Sequence, residues 1–208
     1  MLTVRRTANA GVLLELDGVR ILLDGVCREV VPYPATPEHI RAMLLENPPD
    51  VMAVTHHHPD HYDPAYTAEY EKITNQKAVD PTCVGSAVQY GDVRILPVAS
   101  RHIGKFDCPH ASFVIEGSHC VWFMGDASPN QWKNRTDLPK PDVIIAPFAY
   151  AATDAAWKIT CSFKPKAIVL VHLPEREKDI YGLWTAVEKT IGESVFIPEM
   201  EEFIKIDV

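Results

Sequence analysis

The chain has 208 residues, 47% of them hydrophobic, and a formal net charge of -8 at pH 7. This length and composition suit one globular domain with a sizeable core, which we expect to span residues 1–208. The acidic balance disfavours a nucleic-acid-binding function, because phosphate backbones bind basic surface patches.

The first predicted element is a β-hairpin that ends on an aspartate. Residues 12–16 and 19–24 are rich in branched apolar side chains, and the Asp17-Gly18 pair between them is typical of a tight hairpin turn. Asp24, at the end of the hairpin, has two interpretations. It is either a turn residue before a glycine or an acceptor for the ring N–H of a metal-binding histidine.

The segment before this hairpin lacks the apolar stretch of a signal peptide, and no run in the chain approaches the length of a membrane span. The five cysteines show no C-x-x-C spacing, and we expect them to be free thiols. Together these features predict a cytoplasmic protein without a membrane partner.

A helix and a short buried strand are predicted next. Thr36 is the expected capping residue of the helix, Pro37 lies in its first turn, and Asn47-Pro48-Pro49 ends it. The apolar residues 51–54 then predict a strand.

The segment directly after this strand has the spacing H-x-H-x-D-H. In extended backbone alternate side chains share a face, so His56 and His58 can bind one ion while His57 points away. A proline then ends the extended geometry and places Asp60 and His61 near a second point. Imidazole nitrogens with a carboxylate oxygen suit Zn²⁺, Fe or Mn, and suit Ca²⁺ or Mg²⁺ poorly. The motif therefore predicts two adjacent metal ions, against the plainer alternative of a polar loop.

Further donors are predicted where later strands end. His102, Asp126 and His172 each follow an apolar run, and polar residues at strand ends often form the sites of layered α/β folds. Taken singly, a histidine in such a position is more often an ordinary hydrogen-bonded residue, but the motif makes the metal-binding interpretation the better one. His110 is the alternative to His102, either as a ligand or as a pocket residue. Arg101 is expected to point to solvent.

An internal repeat indicates how the strands are arranged. Residues 113–126 repeat the pattern of residues 12–24, again ending on an aspartate, and residues 141–146 resemble residues 49–54. Two similar halves predict two mixed sheets packed face to face with helices outside, an αββα four-layer sandwich. Chance similarity between hairpins is the alternative explanation.

The remaining elements fill the gaps between these strands. Helices are predicted at residues 64–73, 151–161 and 180–191, and strands at residues 195–197 and 202–206 are expected to complete the second sheet. Trp132, Phe148 and Tyr150 are candidates for a substrate pocket, although aromatic residues in such segments more often belong to the core.

These residues resemble the metallo-β-lactamase superfamily, whose pattern is an H-x-H-x-D-H motif followed by a histidine, an aspartate and a histidine, each after a strand. The resemblance implies the four-layer fold and two divalent ions, with zinc the first choice and Mn or Fe as alternatives. It also implies the ligands of each ion: His56, His58 and His102 for the first, Asp60, His61 and His172 for the second, and Asp126 bridging the two. Asp60 and Asp126 are the expected catalytic carboxylates, with Asp60 accepting a proton from a hydroxide between the ions.

Within the superfamily the chain looks most like compact hydrolases related to L-ascorbate-6-phosphate lactonase. The short N-terminal hairpin and the sequence Pro-Asp-Val-Ile-Ile-Ala-Pro at residues 141–147 carry this resemblance, but Phe148-Ala149-Tyr150 replaces the usual pair of glycines. The implied function is dinuclear hydrolysis of a small lactone, ester or phosphodiester by a metal-bridging hydroxide, with an anionic small molecule favoured as substrate. The alternatives are a mononuclear iron oxygenase acting on a sulfur-containing substrate and a non-enzymatic metal-binding protein.

Overall fold

Two β-sheets packed face to face form the centre of the molecule, and helices cover both outer faces. The structure is a computed structural model that describes residues 2–104, 107–133 and 135–207. Within these residues one sheet has five strands and the other has seven, and both are mixed. The predicted αββα sandwich is therefore confirmed.

The N-terminal hairpin forms the middle of the five-stranded sheet. In spatial order the strands are β12 (Phe203–Ile206), β1 (Leu2–Arg6), β2 (Val12–Leu16), β3 (Val19–Leu23) and β4 (Val51–Ala53). Asp17 and Gly18 have φ angles of 52° and 81°, the left-handed conformation that a tight hairpin turn requires. Strand β4 runs parallel to β3, so the residues that follow these two strands lie at the same edge of the sheet.

The seven-stranded sheet is parallel in one half and antiparallel in the other. Its spatial order is β11 (Val195–Phe196), β10 (Ala167–Val171), β9 (Val143–Pro147), β8 (Cys120–Phe123), β7 (Ala111–Glu116), β6 (Val93–Ala99) and β5 (Val88–Tyr90). Strands β8 to β11 are mutually parallel. Because the carboxyl ends of parallel strands meet at one edge, the segments after β8 and β10 are brought together.

The internal repeat is visible in matching hydrogen bonds. Asp50 Oδ2 accepts from the Arg20 backbone N at 2.8 Å, and Asp142 Oδ2 accepts from the Cys120 backbone N at 2.9 Å. In each half the aspartate N also donates to the backbone carbonyl of that same partner, at 2.9 Å and 2.8 Å. An aspartate thus ties the start of a parallel strand to the preceding hairpin in both halves, as the repeated sequence predicts.

One continuous apolar core lies between the sheets. Leu14 and Ile21 of the first sheet and Ile115 and Ile145 of the second are fully buried in it. Burial of this layer stabilises the fold by roughly 25 cal/mol per Å² of apolar surface removed from water.

In the described ranges, two helices cover each outer face. Helices α1 (Glu38–Glu46) and α2 (Pro64–Thr74) bury side chains such as Leu44 and Tyr70 against the five-stranded sheet. Helices α3 (Asp154–Ser162) and α4 (Leu183–Glu188) bury Ile159 and Val187 against the other. The described residues also include four 3₁₀ turns, at Pro81–Cys83, Pro129–Trp132, Phe148–Tyr150 and Arg176–Lys178. In the part of the chain that the structure describes, every helix is too short or too polar to traverse a bilayer.

The predicted position of the last strand was wrong. Strand β11 joins the seven-stranded sheet as expected, but β12 pairs with β1 in the other sheet, with Leu2 opposite Ile206. The physical reason is that Ile204 and Ile206 are buried in the core between the sheets, while β1 otherwise lies at an open sheet edge. The C-terminal strand therefore closes the first half of the molecule.

Three helix boundaries also differ from the predictions. Helix α4 is confined to Leu183–Glu188, because the Asp179 carboxylate accepts from the backbone N of Leu183 and of Trp184 and fixes its start. Helix α3 begins at Asp154, where the Thr153 hydroxyl accepts from the Ala156 backbone N. Thr36 is not the cap of α1, since its hydroxyl instead accepts from the Cys27 backbone N.

Candidate metal centre

The H-x-H-x-D-H segment lies just beyond strand β4, where the two sheets meet. The Thr55 carbonyl accepts from the backbone N of Ala111 in the seven-stranded sheet, at 2.9 Å. His56 is fully buried, and His57 is exposed with its ring stacked on Tyr62 at a centroid distance of 4.5 Å. Strand β4 ends before the motif, but the His56 and His57 side chains still point in different directions, as alternation predicts.

Three histidines form the first donor group. One ring nitrogen from each of His56, His58 and His102 lies within 4.8 Å of the others. The Nδ1 of His102 donates to the Ile103 carbonyl at 2.6 Å, so its Nε2 carries the lone pair that can bind a metal.

The protonation state of His56 suits metal binding. Burial, reinforced by the nearby His61, lowers the pKa of His56, so its ring is neutral at physiological pH. Its Nε2 is buried and has no hydrogen-bond partner among the described residues. Because buried polar atoms are normally paired, this orphaned lone pair fits a metal ligand.

The second donor group combines a carboxylate with two histidines. Donor atoms of Asp60, His61 and His172 lie within 4.8 Å of one another. The Asp60 Oδ2 is 3.2 Å from the His172 Nε2 and 3.9 Å from the His61 Nε2. This mixture of nitrogen and oxygen donors suits a first-row transition metal.

Asp126 lies between the two groups. Its Oδ2 is 3.5 Å from the Nε2 of His102 in the first group, and 3.4 Å and 3.5 Å from the Nε2 atoms of His61 and His172 in the second. Burial opposes the charge of this carboxyl, but His172 and His61 hold its pKa well below the ordinary value. An ionised carboxylate therefore faces both groups at once.

Asp24 orients one of these histidines. Its Oδ2 lies 2.8 Å from the His61 Nδ1, and its two oxygens also accept from the backbone N and the hydroxyl of Thr55, at 2.7 Å and 2.6 Å. Because the Nδ1–H of His61 donates to this buried carboxylate, the Nε2 is left to face the donor group. Of the two interpretations of Asp24, the structure supports the acceptor role.

A glycine allows the two halves of the centre to approach each other. Gly125 has a φ of 52°, and a Cβ added there would lie 2.5 Å from the Thr55 Cγ2. Only a residue without a side chain fits this conformation and this distance. Gly125 thus lets Asp126 come close to the Thr55–His56 segment.

His110 does not belong to either donor group. It is buried, its Nδ1 lies 2.7 Å from the Ser100 hydroxyl, and its ring packs beside that of His56 at a centroid distance of 4.9 Å. Burial lowers its pKa to about 3. The structure therefore brings His102 to the centre and leaves His110 behind His56.

Two of the three candidate pocket aromatics belong to the core. Trp132 and Tyr150 are each 1% exposed, and the Trp132 Nε1 donates to the Tyr150 hydroxyl at 2.8 Å. The pocket interpretation of these two residues is wrong and the core alternative is confirmed. Phe148 is partly buried against the α4 face, with its ring 6.2 Å from that of His172. Arg101 is exposed, as predicted.

Two residues beside His172 were not found from the sequence. The Asn9 backbone carbonyl accepts from the His172 backbone N at 3.0 Å. The Asn9 side-chain nitrogen, Nδ2, lies 3.5 Å from each ring nitrogen of His172. Tyr33 stands edge-on to the His172 ring, at 90° and 4.7 Å between centroids. Both lie in irregular loops, and nothing in the local pattern distinguishes them from other loop residues.

Comparison with known proteins identifies the family. A family model described as the beta-lactamase superfamily domain matches residues 4–172, and the chain belongs to this superfamily. Two relatives named UPF0173 metal-dependent hydrolases are similar to it. The protein of Thermoplasma acidophilum is 24% identical over 191 residues, covering 76% of this chain and 81% of the relative. The protein of Methanoregula boonei is 26% identical over 203 residues, covering 85% and 90%.

Solved structures share the fold over the whole chain. A possible metal-dependent hydrolase from Veillonella parvula superimposes with a TM-score of 0.69 at 17% sequence identity, covering 99% of this chain and 100% of that one. Together the fold, the His/Asp donor groups and the relatives define the chain as a metal-dependent hydrolase of this superfamily.

Proposed function

We propose that the chain hydrolyses a small lactone, ester or phosphodiester, with two divalent metal ions held in the two donor groups. The observation that carries the proposal is the position of Asp126, whose Oδ2 lies within 3.5 Å of ring nitrogens from both groups. Zinc is the proposed metal, with Mn or Fe as alternatives. The proposed ligands are His56, His58 and His102 at one ion, Asp60, His61 and His172 at the other, and Asp126 at both.

The number of donors favours a catalytic centre over a structural one. A structural zinc site usually closes with four protein ligands and has no open position. Here seven donors form two adjacent groups that share one carboxylate, an arrangement typical of the two-ion sites of hydrolytic enzymes. The non-enzymatic alternative gains no such support.

When bound, ions of this kind lower the pKa of a water molecule toward neutrality and polarise the carbonyl or phosphoryl oxygen under attack. In the proposed reaction the water oxygen bonds to the acyl or phosphoryl atom, and the bond from that atom to the leaving oxygen breaks. Asp60, whose side chain is 15% exposed, accepts one proton of the water and passes it to the leaving oxygen. Asp24 holds the ring of His61 in place, and the Asn9 carbonyl fixes the backbone of His172.

The size of the neighbouring cavities supports a small substrate. Tyr33 lines a cavity of about 390 Å³ and Asn9 lines one of about 410 Å³, within the range of small-molecule sites. The acidic charge of the chain argues against nucleic acid. An anionic substrate, as in the lactonase-like group, stays a prediction from the sequence.

We also propose a cytoplasmic location, since all five cysteines are free thiols.

A substrate panel tests the proposal. The zinc-reconstituted chain would be assayed on lactones, p-nitrophenyl esters, bis-p-nitrophenyl phosphate and a precursor tRNA. The Asp126→Ala variant, purified in parallel, measures contaminating activity. We expect turnover of a small ester, lactone or phosphodiester that is lost in the variant. Processing of the tRNA without any small-molecule activity would contradict the proposal.

A further inference from the structure

The loop between β3 and α1 brings an aromatic side chain to the metal centre. Tyr33 is half-buried, and the centroid of its ring lies 4.7 Å from the centroid of the His172 ring, with the two rings at right angles. The same tyrosine lines the cavity of about 390 Å³. This cavity, here called the Tyr33 cavity, therefore adjoins the metal centre through a single side chain.

The walls of the Tyr33 cavity are mainly apolar. They include Val31, Pro32, Tyr33, Pro34 and Ile180. Val31 is 75% exposed and Ile180 is 68% exposed, and Tyr181, which follows Ile180 in the chain, is 65% exposed. Exposed apolar side chains gathered in one place mark a binding surface more often than scattered ones do. The wall is thus an uncovered apolar surface, and Tyr33 is the wall residue that contacts His172.

The charges around the Tyr33 cavity disfavour an anionic group. Its charged wall residues are Glu29, Glu177 and Lys178, two carboxylates against one ammonium. The ammonium is already engaged, since the Lys178 Nζ lies 2.9 Å from the Glu175 Oε2. A negatively charged substituent would therefore meet net negative charge there.

The neighbouring cavity offers no available cation either. Arg6 lines it, but its guanidinium donates to four backbone carbonyls, those of Ala8, Asn9, Leu173 and Pro198. Arg176, also in its wall, stacks on Trp184 and is paired with Glu188 at 3.1 Å. Both guanidinium groups are thus occupied by contacts within the chain.

We propose that the Tyr33 cavity binds an uncharged, apolar substituent of the substrate, with Tyr33 positioning it relative to His172. This inference rests on the proposed function and narrows its substrate class to neutral esters or lactones that carry an alkyl or aryl group. It differs in this from the anionic substrate that the sequence predicts. Each methylene buried in such a cavity increases binding by up to about fourfold.

Three esters with one leaving group test the inference. The zinc-loaded chain would be compared on p-nitrophenyl acetate, p-nitrophenyl hexanoate and the p-nitrophenyl monoester of adipic acid, which matches the hexanoate in length but carries a carboxylate. We expect kcat/KM for the hexanoate to exceed that for each of the other two by at least tenfold. A higher value for the adipate monoester than for the hexanoate would overturn the inference.

Two exposed isoleucines provide a matched pair of variants. Ile180→Asp is expected to bring the hexanoate-to-acetate ratio close to one, through a higher KM for the hexanoate. Ile73→Asp, at a position that is 51% exposed on α2, should leave the ratio as in the wild type. The same hexanoate-to-acetate ratio in the wild type, Ile180→Asp and Ile73→Asp would overturn the proposal that the Tyr33 cavity binds the substituent.

A binding measurement separates this inference from the proposed function. In isoleucine-methyl NMR spectra of the zinc-loaded chain, millimolar benzyl alcohol is expected to shift the Ile180 signal and not the Ile73 signal. If no ester, lactone or phosphodiester is hydrolysed but Ile180 shifts, the proposed function fails and the apolar site stands. If esters are hydrolysed without a chain-length preference and Ile180 does not shift, the function stands and the inference is overturned.

Discussion

Replacing Asp24 tests how the second donor group is held in place. The buried Asp24 carboxylate is the acceptor for the His61 Nδ1 at 2.8 Å and for the Thr55 backbone N at 2.7 Å. In Asp24→Ala both donors become buried without an acceptor, at about 1–3 kcal/mol each. The Thr55 hydroxyl loses the same acceptor but keeps its contact with the His56 Nδ1 at 3.0 Å, so it is not counted as unpaired. The expected loss is therefore about 2–6 kcal/mol, or a melting temperature lower by at least about 4 °C.

Asp24→Asn separates stability from metal binding. The amide keeps one oxygen for the Thr55 N but presents an NH₂ group to His61, which then favours the ring form with its proton on Nε2, the nitrogen that faces the donor group. We expect a smaller loss of stability than in Asp24→Ala, yet a zinc affinity that is about 10–100-fold weaker. That range corresponds to about 1.4–2.8 kcal/mol.

The assay is a zinc titration against a competing chelator, combined with thermal denaturation of the metal-free proteins. Asp17→Asn is the matched control, because Asp17 and Asp24 both have a positive φ, 52° and 46°, and both accept hydrogen bonds. Asp17 accepts from Ser118 and lies exposed in the hairpin turn. This variant should bind zinc as the wild type does. If Asp24→Asn also binds zinc with wild-type affinity, the orienting role of Asp24 is refuted.

Three further predictions concern metal content and stability. Asp126→Ala is expected to lose the metal pair and turnover, whereas His57→Ala keeps both, because the His57 ring points away from the donors. Equal loss of metal from the two variants in elemental analysis would contradict this geometry. Gly125→Ala is expected to cost about 1–3 kcal/mol, since its Cβ would lie 2.5 Å from Thr55, and an unchanged melting temperature would refute that close approach. Asp63→Ala removes the carboxylate that caps α2, and we expect it to lower the free energy of unfolding, measured by urea denaturation, by about 0.5–2 kcal/mol. Asp63→Asn keeps most of the capping and should lose less. Equal losses of stability in the two variants would rule out capping as the cause.

The donor groups could be predicted because their geometry is largely local. Alternation along an extended segment separates His57 from His56 and His58, and this holds although the strand ends before the motif. Asp126 and His172 follow parallel strands, whose carboxyl ends meet at one edge of a sheet. Residues that directly follow parallel strands in the sequence can therefore be predicted to lie close together in the structure.

The partner of β12 could not be predicted in the same way. Alternating apolar residues at Ile204 and Ile206 would suit an edge position in either sheet, and only the packing of the whole core places them beside β1. Tyr33 and Asn9 were missed for a related reason. They lie in irregular loops, where no periodic pattern indicates which residue approaches His172.

The central claim is that two ions share Asp126, and anomalous diffraction at the zinc edge tests it most directly. Crystals of the zinc-reconstituted chain should show two anomalous peaks roughly 3.5–4 Å apart, one among His56, His58 and His102 and the other among Asp60, His61 and His172, with the Asp126 carboxylate between them. A single peak at full occupancy, or two peaks that do not both contact Asp126, would contradict the account.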